Sequence, residues 1–174
     1  MTQRVLVVDD KELMRDSVTT ALIRAGYVAT SAPDGPTALK SIAQKRPSVV
    51  ITDLQMPAMD GLELLRAIRA VDDQIPVILM TAFATVETAV EAMKIGAFDY
   101  LMKPFEGDRL ITTVRRGIYH DRLGRENAVL KASLENSSTR SGTKAPALIG
   151  RSTSIDSVRD QIARYAPSQG TVLV

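Results

Sequence analysis

Between residues 1 and 105, short runs of apolar and β-branched residues alternate with stretches in which apolar positions recur at helical spacing. The runs are Arg4 to Val8, Tyr27 to Ser31, Val49 to Thr52, Ile75 to Met80 and Phe98 to Met102. Several are apolar at consecutive positions, as expected of parallel strands buried on both faces. The first intervening stretch sets Met14, Val18, Ala21, Leu22 and Ala25 at helical spacing ahead of Gly26, a residue suited to the left-handed turn that ends a helix. A second helix opens at Asp34-Gly35-Pro36, where an N-cap residue stands just before proline, and buries Ala38, Leu39 and Ile42. Asp60 caps a third helix containing Leu62, Leu64, Leu65 and Ile68, and a fourth runs from Thr85 to Gly96 with an apolar stripe of Val86, Ala89, Val90 and Met93. Five β-α units with right-handed crossovers predict an α/β fold: a doubly wound, five-stranded parallel sheet covered by helices on both sides.

The fifth helix starts near Asp108 and continues beyond the length a compact domain needs. Leu110, Ile111, Val114 and Ile118 form one stripe, and Leu123, Leu130 and Leu134 form another at heptad-like spacing with Asn127 in the seam. The register slips between them. Two heptads are fewer than the roughly three or four from which a coiled coil is normally argued, so an isolated helix folded back on its own domain also fits. The domains read as 1–120 for the α/β unit, 121–145 for a helical, coiled-coil-like segment passing into a linker, and 146–174 for the opening of a second domain. Asn136 to Pro146 is polar and lacks periodic apolar residues, as flexible linkers do. Beyond it, Leu148-Ile149-Gly150 leads to Ser152 or Ser154 as candidate N-caps, a helix with Ile155, Val158, Ile162 and Ala166, and a strand-like Thr171-Val172-Leu173-Val174. A single helix and strand bury too little surface to fold alone.

Composition narrows the chemistry. The chain is 45% apolar and 24% charged, near globular averages. With no cysteine, a disulfide framework, a thiolate zinc site and a cysteine nucleophile are excluded, and the lone His120 cannot build a histidine metal cluster. No apolar run approaches the roughly 18 residues of a membrane span, and Met1-Thr2-Gln3-Arg4 passes straight into a strand without signal-peptide anatomy, so a cytoplasmic protein with no membrane partner is expected. Residues 1–120 carry 14 basic and 15 acidic side chains, and residues 121–174 carry 8 and 5. That excess is too mild and scattered for a nucleic-acid surface.

Ligands of doubly wound sheets bind at the carboxyl ends of the strands. There the first strand delivers Asp9 and Asp10, the third Asp53, the fourth Thr81 and the fifth Lys103, while the second delivers only Ser31-Ala32-Pro33. A dinucleotide site would need a glycine-rich loop after the first strand, and two carboxylates in that place would repel a phosphate. Carboxylates brought together repel by about 4 kcal/mol for unit charges about 4 Å apart at an effective dielectric near 20. A divalent cation offsets this, and magnesium prefers oxygen ligands. Beside the cation a carboxylate can attack phosphorus to form an aspartyl phosphate, with Lys103 and Thr81 placed to stabilise the transferring oxygens. Taken singly, Asp9, Asp10 and Thr81 read as helix caps, Asp53 as a turn former and Lys103 as a surface charge. Their joint arrival on four strand ends favours the site.

The stretches Val7-Val8-Asp9-Asp10, Thr52-Asp53-Leu54-Gln55-Met56-Pro57-Ala58-Met59-Asp60-Gly61, Met80-Thr81-Ala82 and Lys103-Pro104-Phe105 resemble the receiver domain of bacterial two-component response regulators over residues 1 to about 120. The resemblance implies a flavodoxin-like receiver with strand order 2-1-3-4-5 and an extended C-terminal helix. It implies Asp53 as phosphoacceptor from a sensor histidine kinase, and Mg2+ held by Asp10 directly, Asp9 through water, Asp53 and the backbone carbonyl of Gln55. Thr81 and Lys103 would contact the phosphoryl group, Lys103-Pro104 would be cis, and Thr81 and Tyr100 would form a switch remodelling the face of helix four, strand five and helix five. Lys11 and Phe83 depart from the common pattern near the site.

Gly96-Ala97-Phe98-Asp99-Tyr100 and the tail Leu148-Ile149-Gly150-Arg151-Ser152 resemble NtrC-type activators that work with sigma-54 RNA polymerase, the tail opening their AAA+ domain. The phosphate-binding loop of that domain would follow Val174, so the chain is expected to be a non-enzyme that receives phosphate, without direct nucleic-acid binding, and to pair as a homodimer through helix five and the linker. A constitutive dimerisation module with a merely structural acidic site is the alternative. A phosphatase with an aspartyl intermediate would commonly place an aspartate where Gln55 stands.

Overall fold

A computed structural model describes residues 3–140, the backbone alone from residue 134 onward. The chain divides into two units, Met1–Leu130 and Lys131–Val174. The first holds the whole sheet. Its elements are β1 (Arg4–Val8), α1 (Glu12–Arg24), β2 (Val28–Ala32), α2 (Gly35–Gln44), β3 (Val49–Asp53), α3 (Gly61–Val71), β4 (Val77–Thr81), α4 (Val86–Ile95), β5 (Asp99–Met102) and the start of α5 (Gly107–Arg140). All strand pairs are parallel and the order is β2-β1-β3-β4-β5. This is the doubly wound, flavodoxin-like arrangement expected of the sequence.

Every residue of β3 and β4 is buried, which is why residues 49–51 and 77–80 read as unbroken apolar runs. Alternate side chains feed two cores. Leu6, Val8, Val50 and Leu79 pack with α2, α3 and Ala92 of α4 on one face. Val5, Val7, Ile51, Ile78 and Met80 pack with Val18 and Leu22 of α1 and Leu110, Val114 and Ile118 of α5 on the other. The caps follow local chemistry. The Asp34 carboxylate accepts from the Thr37 N–H at 2.7 Å. Asp60 and Glu63 form a reciprocal capping box at 2.8 and 3.0 Å, each such cap being worth about 1 kcal/mol. Gly96 closes α4 at φ 103° and Gly26 follows α1 at φ 89°.

Some elements depart from the sequence reading. β2 and β4 each start later than expected and end one residue further on, at Ala32 and Thr81, because Ala32 pairs with Val8 of β1 and Thr81 with Met102 of β5. In α4 the stripe of Val86, Val90 and Met93 faces outward, these side chains being 75%, 45% and 53% exposed, while Ala92 is buried and Ile95 packs on the core. Small alanines allow the helix to approach the sheet closely, and periodicity finds an apolar stripe without saying whether it faces the core. The helix α5 extends to Arg140 and so takes in residues 136–140 of the expected linker; propagating an existing helix avoids the cost of nucleating one. Leu123 and Leu130 are exposed, whereas the side chain of Leu134 and everything in 141–174 lie outside the described residues.

Candidate functional site

The strand β1 ends at Val8 and places Asp9 at 0% exposure and Asp10 at the surface. Two strands lie between Asp9 and Lys103 in the sheet order, yet the long lysine side chain spans the gap. Its Nζ donates to Asp9 Oδ2 and to Asp53 Oδ1, each at 2.8 Å. Burial alone would lower the Lys103 pKa, but the hydrogen bonds to Asp53 and Asp9 and their charges outweigh it and hold the ammonium above its ordinary value. Carboxylate oxygens of Asp9, Asp10 and Asp53 lie within 4.8 Å of one another. Asp9 is further fixed by the Lys11 N–H, which donates to Oδ1 at 2.9 Å, and by Arg15, whose Nη1 donates to the Asp9 carbonyl at 2.9 Å.

Around this group the backbone is tightly defined. Lys103 N donates to the Thr81 carbonyl at 2.7 Å, and the Lys103–Pro104 bond is cis as expected. Behind Asp53, Leu54 N donates to Met80 O at 2.7 Å and Gly61 N to Leu54 O at 2.9 Å. A Cβ on Gly61 would stand 2.4 Å from the Asp53 carbonyl oxygen, so a bare backbone is required there. Ala58, in the loop between Asp53 and Gly61, adopts the left-handed conformation at φ 66°.

Thr81 is 1% exposed, and its Oγ1 accepts from the Phe83 N–H at 3.1 Å. The half-buried Tyr100 places its hydroxyl 3.1 Å from Thr88 Oγ1, in the capping box that starts α4. Gln55 is exposed and shares an open cleft with Asp10, Lys11, Met56 and Pro57. The structure thus brings Asp9, Asp10, Asp53 and Lys103 into one cluster and sets Thr81, Gln55 and Tyr100 on the surrounding elements. Arg15 and Gly61 went unassigned in the sequence reading. Gly61 had a signal, because a glycine directly after an N-cap aspartate forgoes helix propensity without a turn to justify it.

The donor set is hard oxygen throughout, which suits magnesium better than a soft or borderline metal. One lysine offsets only part of the charge of three carboxylates, so the group retains room for a divalent cation. Among the described residues, no helix is long and apolar enough to cross a membrane.

A doubly wound parallel sheet with three aspartates and a lysine gathered at the carboxyl ends of its strands is the arrangement of a response regulator receiver domain. The family model of the response regulator receiver domain matches residues 5–115, and the chain belongs to that family. It is 39% identical over 173 residues to the regulatory protein AtoC of Escherichia coli (strain K12), covering 98% of this chain and 36% of AtoC. It is 37% identical over 171 residues to the C4-dicarboxylate transport transcriptional regulatory protein DctD of Pseudomonas aeruginosa, with the same coverage of 98% and 36%. The chain therefore spans little more than a third of the length of these curated relatives. Among solved structures, NtrX from Brucella abortus in complex with ATP superposes with a TM-score of 0.70 at 32% identity, covering 97% of this chain and 35% of NtrX. A response regulator receiver domain protein from Clostridium thermocellum gives a TM-score of 0.67 at 29% identity over 70% of this chain and 98% of its own.

Proposed function

We propose that the chain is the receiver and linker of an NtrC-type, sigma-54-dependent transcriptional activator, switched when Asp53 accepts a phosphoryl group from a sensor histidine kinase. The observation that carries this reading is the Lys103 ammonium bridging Asp9 and Asp53 at 2.8 Å each, with Asp10 in the same cluster. Asp9, Asp10, Asp53 and the Gln55 carbonyl would hold Mg2+, which when bound neutralises charge on the transferring oxygens. An Asp53 carboxylate oxygen forms its bond to phosphorus as the phosphorus–nitrogen bond to the kinase histidine breaks, leaving an aspartyl phosphate and a neutral imidazole once that nitrogen is protonated. Lys103 exchanges its contact with the Asp53 carboxylate for a phosphoryl oxygen. Thr81 gives up its hydrogen bonds with the Phe83 main chain to donate to another. Tyr100 then turns inward and releases Thr88, which loosens the start of α4.

Driving such a switch from 1:99 to 99:1 takes about 5.5 kcal/mol of differential interaction, within reach of several charge-assisted hydrogen bonds. The readout is pairing of two chains along α5. In the whole protein, which this reading places in the cytoplasm, sigma-54 RNA polymerase is engaged through the AAA+ domain that residues 146–174 begin, and the receiver itself contacts neither nucleic acid nor membrane. It is the substrate of its kinase rather than a turnover enzyme. Incubation with magnesium and a small acyl phosphate should add one phosphoryl group by intact mass and change the sedimentation-equilibrium mass. Unchanged mass, or association identical with and without the phosphodonor, favours the constitutive dimerisation module instead.

A further inference from the structure

Past Ile118, the stripe of α5 that faces the sheet continues with an aspartate. The Asp121 side chain is 0% exposed. Arg46, in the connection between α2 and β3, donates from Nη1 to Asp121 Oδ1 at 2.7 Å, and Arg125, one turn further along α5, holds Oδ2. The other edge of the Arg46 guanidinium grips Asp72 at the end of α3, with Nε 2.6 Å from Oδ2. Asp72 is itself fixed by the Gln74 N–H at 2.9 Å. Where α5 passes this loop it carries Gly124, whose Cβ, if present, would stand 2.8 Å from Gln74 Oε1.

Three segments distant in sequence thus meet at the amino ends of β3 and β4, the end of the sheet away from Asp53. A buried carboxylate is expensive unless paired, and an apolar residue at position 121 would extend the stripe of Leu110, Val114 and Ile118 without that cost. What the ionic arrangement adds is direction. The planar guanidinium of Arg46 presents separate donors to two carboxylates at once, so it fixes where α5 lies relative to the loop after α3 more narrowly than apolar packing does.

We propose that Asp121 is a positioning residue and that Arg46, Asp72, Asp121 and Arg125 form an ionic latch setting the direction in which α5 leaves the sheet. With the latch closed, Tyr119 and Leu123 are presented outward as part of a rigid body, so a shift in the receiver reaches the exposed face of the helix undiminished. The inference deepens the proposed function and rests on it only for the second arm of the test.

The first arm needs no phosphate. In the full chain, Asp121→Asn and Arg46→Lys should each speed amide hydrogen exchange over residues 119–130 by about tenfold or more, with exchange in β3 and β4 unchanged. Lysine keeps the charge of Arg46 but lacks the planar fork that reaches Asp72 from Nε and Asp121 from Nη1, so this milder variant keeps the test open if Asp121→Asn does not fold. Exchange within about twofold of the parent in the folded variants overturns the latch. In the second arm, both variants should accept phosphate at Asp53 from a small acyl phosphate at the parent rate, while the phosphodonor-dependent change in self-association falls to within about twofold of none. Faster exchange with that coupling intact also overturns the proposal, because Asp121 would then stabilise α5 without positioning it. If the parent chain shows no phosphodonor-dependent association, the proposed function fails on its own account and the exchange arm still decides the latch.

Discussion

Replacing Gly61 by alanine should damage the acidic site from behind without touching a charged group. Gly61 is the first residue of α3, and an added Cβ would lie 2.4 Å from the Asp53 carbonyl oxygen, 2.9 Å from Leu54 Cα and 3.0 Å from Leu79 Cδ2. Real Cβ contacts essentially never fall below 3.0 Å, so the backbone carrying Asp53 and the start of α3 must part by at least the 0.6 Å between 2.4 and 3.0 Å. Neither side yields cheaply. Leu54 N is bonded to Met80 O and Gly61 N to Leu54 O, and the Asp60–Glu63 capping box holds the helix start. Overpacking of this kind costs about 1 to 3 kcal/mol, against a gain of at most about 1 kcal/mol from the better helix propensity of alanine. A displacement approaching 1 Å at a reacting group costs on the order of 100-fold in rate. Gly107 provides the control, because it opens α5 in the same way yet a Cβ there meets nothing within 4 Å. Urea unfolding and the rate of Asp53 labelling by an acyl phosphate, followed by intact mass, should show Gly61→Ala less stable and at least tenfold slower, with Gly107→Ala unchanged in rate and as stable or more so. A Gly61→Ala variant that labels at the parent rate with raised stability would show that the Asp53 backbone yields to the added methyl without loss.

Ala58→Gly should raise the unfolding free energy by about 0.5 to 1 kcal/mol in urea titrations, since the left-handed φ of 66° strains alanine and the relief exceeds the added freedom of the unfolded chain. Lys103→Met should cost roughly 3 to 5 kcal/mol in the presence of a chelator, because it strands two carboxylates that are at most 5% exposed; millimolar magnesium should return more of that loss than it adds to the parent chain. At low pH the Arg46–Asp72 pair should mark the acid limb. Burial raises the Asp72 pKa, but hydrogen bonds from Arg46 and the Gln74 N–H, with the charges of Arg46 and Arg69, hold it below the ordinary carboxylate value. A depressed folded pKa contributes stability in full above the unfolded value of about 3.9 and loses it as pH falls through the folded one, so Arg46→Gln should flatten the stability profile below about pH 4.

The sheet and the acidic cluster were legible in the sequence for one physical reason. Parallel strands buried on both faces must be apolar throughout, so the first polar residue after each run marks a strand end, and Asp9, Asp53 and Thr81 stand at or within one residue of those ends. Strand limits were less legible, since β2 stops opposite the end of β1 and β4 opposite the end of β5. The facing of α4 is not legible, because Val86, Val90 and Met93 make a stronger apolar stripe than Ala92 and Ile95 and yet stand outward, and hydrophobicity does not record that the sheet accepts small side chains at close range. The slip between the two stripes of α5 acquires a cause in Asp121. The inward face continues through a charged residue, which a search for apolar periodicity counts as solvent-facing, while Tyr119 and Leu123 start the outward one.

In the proposed switch, Asp53 takes up phosphorus beside a cation held by its acidic neighbours. Peptide mapping of the chain after treatment with magnesium and acyl phosphate, with the label trapped by borohydride reduction, tests this directly. A single modified site at Asp53 is expected, lost with chelator and strongly reduced in Asp10→Asn. Label on another carboxylate, or on Asp53 at equal yield without a divalent cation, would contradict it.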